Sequence, residues 1–189
     1  MNLPPHLKLS CSERGGLYLL LARLLAGPPS QDDLRLVSSL VDTYFDASAR
    51  AALAAQCEDL AEEYHRLFIG VGSGVLMPYA SFYMAGSLHD RPLVEIRKSM
   101  AALGLRRRDG SCEPEDHIAT VLEVMASLLL RRDEAQSAAF FADHIAPWVI
   151  RFLGDLSRTS PQTLYGVLAR DALAFLEADA RTIQGTPIS

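Results

Sequence analysis

Cysteine is scarce: Cys11, Cys57 and Cys112 are odd in number, far apart and never in CxxC spacing. That pattern excludes a paired redox motif and a cysteine-built zinc site, and implies free thiols in a reducing compartment. Basic charge is also short, with 18 Lys and Arg against 23 Asp and Glu and a formal net charge of -5. Phosphate binding draws on surplus cations, so nucleic acid is not an expected partner, whereas basic ligands are attracted. No apolar run is long enough to cross a bilayer. The longest candidate, "LYLLLARLLA" from Leu17 to Ala26, is interrupted by Arg23, so neither an exported leader nor stable membrane insertion is expected, although Lys8 and Arg14 precede it. These absences point to a cytoplasmic protein.

Familiar catalytic signatures are missing too. The segment "GVGSG" at Gly70 has neither the GxGxxG spacing of a dinucleotide site nor a preceding strand, and no Gly-Lys-Ser/Thr ends a phosphate loop. A turning linker is the reading of those glycines, and weak GTP binding through some other architecture stays open without a motif to support it. HExxH does not occur, and His117 has Thr120 and Val121 at the positions where a second ligand on its helix would sit. His144 has Asp143 beside it, on a different helical face. No metal or other cofactor is therefore expected. Ser81 or Cys112 as a nucleophile would need a histidine and a carboxylate assembled from distant segments, with no strand-to-helix elbow around either.

What the chain has is helical periodicity. Its hydrophobic share of 49% over 189 residues suits one ordinary domain, and apolar residues recur at three- and four-residue intervals while no stretch alternates like a half-buried strand. The expectation is an all-α, single-domain helical bundle spanning 1–189, with a loose tail from about 182. A first helix carries Leu17, Leu20, Leu21, Leu24 and Leu25, capped at Ser12 and stopped by Gly27-Pro28-Pro29. A second opens at Ser30 with Asp32 and Asp33. A third, about 47–69, buries Leu53, Cys57, Leu60, Ala61, Tyr64, Leu67 and Phe68. One long irregular glycine- and aromatic-rich loop follows, at about 70–90, holding Met77, Tyr79, Phe82, Tyr83 and Met84 off any helical stripe. Helix resumes near Pro92, breaks at Gly104 and the basic turn "RRRDGS", and resumes again with Ile118, Val121, Leu122, Met125, Leu128 and Leu129 inward. A further helix begins near Asp133 and is kinked or restarted at Pro147, and the last runs from Pro161 at its first position to about Ala180.

The stretch "EPEDHIATVLEVMASLLLRR" at Glu113 concentrates the chemistry. Pro114 suits a first helical turn, and Glu115 and Asp116 stabilise the positive end of a helix dipole, so capping explains the acids. A protonated His117 would oppose that dipole, which favours a neutral, hydrogen-bonded imidazole; structural and functional roles for it both stay open.

The chain resembles the twin-arginine leader-binding maturation chaperones of redox enzymes, the TorD/DmsD-like proteins. The resemblance rests on "YHRLFIG" at Tyr64, the glycine-rich loop leading to "PYASFY" at Pro78, "PEDHIATVLEVM" at Pro114, "FFADHIAPWVIRFL" at Phe140 and "LYGVLARDALAFLE" at Leu164, in family order. It implies an all-helical cytoplasmic chaperone without enzymatic turnover, which binds the twin-arginine signal peptide and apo form of a molybdenum oxidoreductase until its cofactor is inserted. It places leader-binding residues at Pro114, Asp116 and His117, with Tyr79, Ser81, Phe82 and Tyr83 of the loop and the region from His144 to Trp148 nearby. Glu115 joins them on physical grounds: paired guanidinium groups beside an apolar stretch call for carboxylates beside an apolar groove, with Phe82, Tyr83, Met84 and Trp148 taking the apolar part. A monomer is expected, with segment exchange between subunits open. The competing readings are a small helical hydrolase or nucleotide-binding enzyme using His117 or His144, and a regulator or adaptor of the same fold.

Overall fold

A computed structural model describes residues 9–44, 52, 60–70, 74–106 and 113–185. Among these the regular structure is all helical, with one isolated bridge between Tyr79 and His117. The helices are α1 (Cys11–Ala26), α2 (Gln31–Tyr44), α3 (Leu60–Tyr64), α4 (Ala80–Ala85), α5 (Arg91–Ala102), α6 (Ile118–Leu130), α7 (Glu134–Phe140), α8 (Val149–Thr159) and α9 (Leu164–Gly185). Both α3 and α7 continue directly into a wider π-type turn, at His65–Ile69 and Phe141–Ile145. The all-α expectation holds.

Helix α1 is apolar nearly all round, and that makes it the central rod. Leu17, Leu21 and Leu25 enter the main core, while Leu20 and Leu24 face a second cluster with Leu34 and Val37 of α2, Leu60 of α3 and Leu164, Val167 and Leu168 of α9. Its long neighbour is α6, whose Val121, Leu122, Met125, Leu128 and Leu129 are all buried. The two approach closely at Gly15, where an added Cβ would stand 3.1 Å from Leu130 Cγ and 3.3 Å from the Ala126 carbonyl. On the other side α8 packs along α9.

The start of α1 is set two residues earlier than Ser12 suggests. Ser10 is the cap, accepting from the Glu13 amide while the Glu13 carboxylate accepts from the Ser10 amide at 2.8 Å, a reciprocal capping box. Ser30 and Asp33 repeat the device before α2, with 2.8 Å from the Ser30 amide to the Asp33 carboxylate. Pro161 lies in a turn before α9 rather than at its first position, and α9 runs on to Gly185, beyond the expected start of the tail at about 182.

Most of the expected third helix, with Leu53 and Cys57, lies outside the described residues. In its described end Leu60, Tyr64, Leu67 and Phe68 are buried as expected, but Ala61 is exposed and Glu63 faces inward. The basic turn lies outside the described residues from 107 onward. The expected irregular loop is partly ordered instead: α4 sits within it and puts Ala80, Ser81, Phe82 and Tyr83 on helix. Gly74 makes the close approach that lets the chain turn back, since a Cβ there would meet the Phe68 carbonyl carbon at 2.5 Å.

One buried ionic contact joins the two ends of the described chain. The Arg14 guanidinium pairs with Asp179, and the Tyr18 hydroxyl donates to the same carboxylate at 2.8 Å, tying α1 to α9. Removing one partner strands a buried charge. Asp179→Ala is therefore expected to cost about 3–5 kcal/mol, and Tyr18→Phe roughly 1.5–3 kcal/mol; urea unfolding followed by circular dichroism measures both.

Candidate functional site

The chemistry-bearing stretch and the aromatic loop are brought together by a short backbone clasp. The Ile118 amide donates to the Pro78 carbonyl at 2.9 Å, and the Ala80 amide donates to the Asp116 carbonyl at 2.9 Å. Asp116 then adds its side chain, accepting from the Ser81 amide at 3.0 Å. Ser81 is the second residue of α4, so Asp116 does cap a helix, but α4 and not its own.

That geometry changes the expected role of two residues. Asp116 is 1% exposed and His117 is 4% exposed, so neither presents itself to solvent. Pro114, Glu115 and Asp116 form the turn ahead of α6, and His117 itself is the cap of α6, its Nδ1 accepting from the Ala119 amide at 3.2 Å. The acids are thus not first-turn residues of α6. An accepting Nδ1 requires a neutral ring with its proton on Nε2, and burial holds the His117 pKa below its ordinary value against the opposing pull of Glu113 and Asp116. The neutral imidazole expected from the dipole argument is what the cap uses.

Around the clasp, Tyr79 sets its ring edge-on to His117 at 5.1 Å and donates its hydroxyl to Glu113 at 2.6 Å. Glu115 accepts from the Arg97 guanidinium at 2.8 Å, joining the turn to α5. Ser81 is fully buried, its Oγ accepting from the Asp90 amide at 3.2 Å, which fixes the turn between α4 and α5. Phe82 and Met84 are left outward, 42% and 48% exposed.

Tyr83 is half-buried and strongly held. Its hydroxyl donates to Asp155 at 3.1 Å, the Arg151 guanidinium stands 5.0 Å over its ring and donates to its carbonyl, and Trp148 packs at 5.9 Å. Trp148 is 0% exposed, donating Nε1 to the His144 carbonyl at 2.8 Å, so it floors the site and does not offer a free face. His144 Nε2 lies 2.8 Å from Ser99 Oγ, and burial lowers its pKa against the pull of Asp143 and Glu95. Within the π turn Asp143 is exposed and His144 buried, yet both border the same cavity.

Three hollows border these groups. A cavity of about 550 Å³ lies between α4, α5 and the π turn, with Ala80, Met84, Ser99, His144 and Trp148 in its walls. A second, of about 680 Å³, lies beside α6, where His117, Glu113 and Glu123 meet Leu19 and Leu130. A third, about 260 Å³, is bounded by Tyr79, His89, Glu113, Pro114 and Asp116. Asp155, Arg151, Arg97, Ser99 and Glu95 escaped the sequence reading. The only signal for any of them was "HDRP", a cap followed by proline that marks the start of α5.

The result is an all-helical fold whose aromatic loop is clasped to the turn ahead of α6, with hollows on either side of the clasp. The chain belongs to the family described as nitrate reductase delta subunit, which its residues 34–154 match. It is 26% identical over 205 residues to a chaperone protein TorD of Vibrio cholerae, covering 92% of this chain and 93% of that one. A chaperone protein TorD of Vibrio parahaemolyticus is 27% identical over 175 residues, covering 85% and 80%. Among solved structures, a putative redox enzyme maturation protein from Archaeoglobus fulgidus matches with a TM-score of 0.64 at 25% identity, covering 87% of this chain and 93% of that chain. Among the described residues no helix is long and apolar enough to cross a membrane.

A neutral His117 cap has a pH consequence. Its folded pKa is depressed, so its contribution to stability is complete above the ordinary value of 6.5 and is lost as pH falls through the lowered value. His117→Asn keeps an acceptor at the cap and is expected to flatten the fall in melting temperature between about pH 7.5 and about pH 5, leaving the share carried by His144. An unchanged slope would show that His117 does not carry it.

Proposed function

We propose that this chain, a redox-enzyme maturation chaperone of the TorD kind, binds the twin-arginine signal peptide of a molybdenum oxidoreductase in the cytoplasm and holds the apoprotein back until its cofactor is in place. The observation that carries the reading is the clasp of residues 78–81 to 116–118. It sets exposed Phe82 and Met84 beside a concave, acid-edged surface while keeping the backbone beneath it rigid. A leader carrying two guanidinium groups next to an apolar run is complementary to that combination. The similarity to TorD chaperones supports the chaperone role, and the structurally similar maturation protein supports a redox enzyme as client.

In this reading the residues divide by task. Asp116, His117 and Ser81 position the loop, since all three are buried in hydrogen bonds within the fold. Pro114 shapes the turn, and Tyr79, Glu113 and Glu115 border the outer surface around it. Phe82 and Met84 meet the apolar part of the leader, with Tyr83, His144 and Trp148 supporting them from below.

Calorimetry with an isolated leader peptide tests the proposal. Binding is expected to weaken with salt, because part of it is ionic, and to weaken about tenfold when the Arg-Arg pair becomes Lys-Lys, which keeps the charge but loses the planar fork. No binding of either peptide would refute the leader reading.

Asp116 separates positioning from contact. Asp116→Asn keeps an acceptor for the Ser81 amide, whereas Asp116→Ala leaves that amide unpaired and is expected to cost about 1–3 kcal/mol of stability. The positioning role predicts that leader affinity follows stability across the two variants, with Asn near wild type and Ala weakened. Strong loss of affinity in Asp116→Asn at unchanged melting temperature would assign Asp116 to direct contact instead.

A further inference from the structure

The cavity of about 550 Å³ between α4, α5 and the π turn has the opposite character on its floor and at its mouth. Ala80, Ile96 and Trp148 make the floor, all buried, with Met84 half out of it. Asp90, Glu95 and Asp143 stand around it, against the single guanidinium of Arg91. Asp90 is spoken for, since its carboxylate caps α5 through the Arg91 amide and accepts from Ser87 at 2.8 Å. Glu95 comes from α5 and Asp143 from the π turn, and both act electrostatically on the His144 ring. Glu95 also meets Lys98 at 3.1 Å on the outer side of α5, a pair in which both side chains are well exposed and which an incoming cation displaces at small cost.

We infer that this groove is the seat of the leader's arginine pair, with Glu95 and Asp143 as the accepting carboxylates and the apolar run of the leader continuing over Met84 and Phe82. The inference rests on the leader-binding reading and moves the ionic contact away from Asp116, whose oxygens are turned inward. Charge complementarity fixes the occupant: an apolar floor alone suits any greasy segment, but two carboxylates from separate elements in its lining select a cationic one. The fully buried Trp148 and the neutral His144 leave no free cation on the floor to repel a guanidinium, and Ser99 Oγ, 2.8 Å from the His144 ring, adds a polar partner at depth. The rival hollow beside α6 has a mixed rim, with Arg106 and Arg131 alongside Glu113 and Glu123, and lacks this one-sided charge.

The test titrates one synthetic twin-arginine leader peptide into the full chain and into Glu95→Gln, Asp143→Asn and the double variant, with Glu123→Gln on the rival rim as control. Melting curves confirm that each variant is folded, as these side chains lie at the surface or half-buried. Each single substitution is expected to weaken binding about three- to tenfold, the double variant more, with a shallower salt dependence, and Glu123→Gln to bind as the wild type does. Wild-type affinity in both single variants with weakened binding in Glu123→Gln would place the arginines beside α6, overturning this assignment and leaving the leader reading intact. Affinity that falls as chain concentration rises would show a second copy in the groove, and also overturns it. No binding by the wild-type chain would remove the leader reading and this inference together.

Discussion

The site depends on one short backbone agreement between segments far apart in sequence. Residue 80 donates to the carbonyl of 116, and residue 118 donates back to the carbonyl of 78. Two hydrogen bonds of this kind contribute little net stability, of the order of 1 kcal/mol each. Their importance lies in what they orient. Once Pro78 and Asp116 are opposite one another, the Asp116 carboxylate is delivered to the Ser81 amide, α4 starts there, and Phe82, Tyr83 and Met84 take up fixed directions around a single helical turn. A six-residue helix has no stability of its own in water, so α4 exists because its amino end is capped from outside and its inner face is held by Tyr83 against Trp148 and Phe152.

The same clasp explains why a histidine stands where helix-start rules favour Ser, Asp or Asn. His117 must cap α6 with one nitrogen and pack its ring against Tyr79 in the same place. A shorter capping residue would satisfy the amide and leave the ring contact empty, while a charged one would be buried without a counter-ion. Neutral imidazole serves both demands, and burial keeps it neutral. The clasp therefore has an acid limit built into it, because protonating Nδ1 removes the acceptor that starts α6.

Much of the architecture was legible in the sequence because burial imposes a period. The inward faces of α1, α6 and α9 were read correctly residue by residue, as was the break at Gly104, which adopts a φ of 68°. What escaped was set by geometry that no period records. The π turns at His65–Ile69 and Phe141–Ile145 interrupt the regular period, and just ahead of the first Glu63 faces inward and Ala61 outward. Short helix α4 was missed because its cap comes from a residue 35 positions away. At the candidate site, the residue pattern singled out the stretch from Glu113 and the aromatic loop, but could not tell how two adjacent acids would be partnered. Asp116 and Glu115 are neighbours in the chain, and one is sealed against Ser81 while the other meets Arg97.

That division has a physical logic. A carboxylate that must hold a helix start cannot also be released to greet a ligand, since freeing it exposes the Ser81 amide that it satisfies. Carboxylates that are anchored only by exposed partners, or by helix ends, can change partner at little cost. The fold accordingly keeps its buried acids for architecture, Asp116 under α4 and Asp179 under α1, and leaves Glu95 and Asp143 on the walls of a groove whose floor is already closed by Trp148. Fixed placement beneath and exchangeable charge above are what the proposed role as receptor for a flexible cationic peptide requires, since a preorganised groove leaves the ordering cost to the peptide.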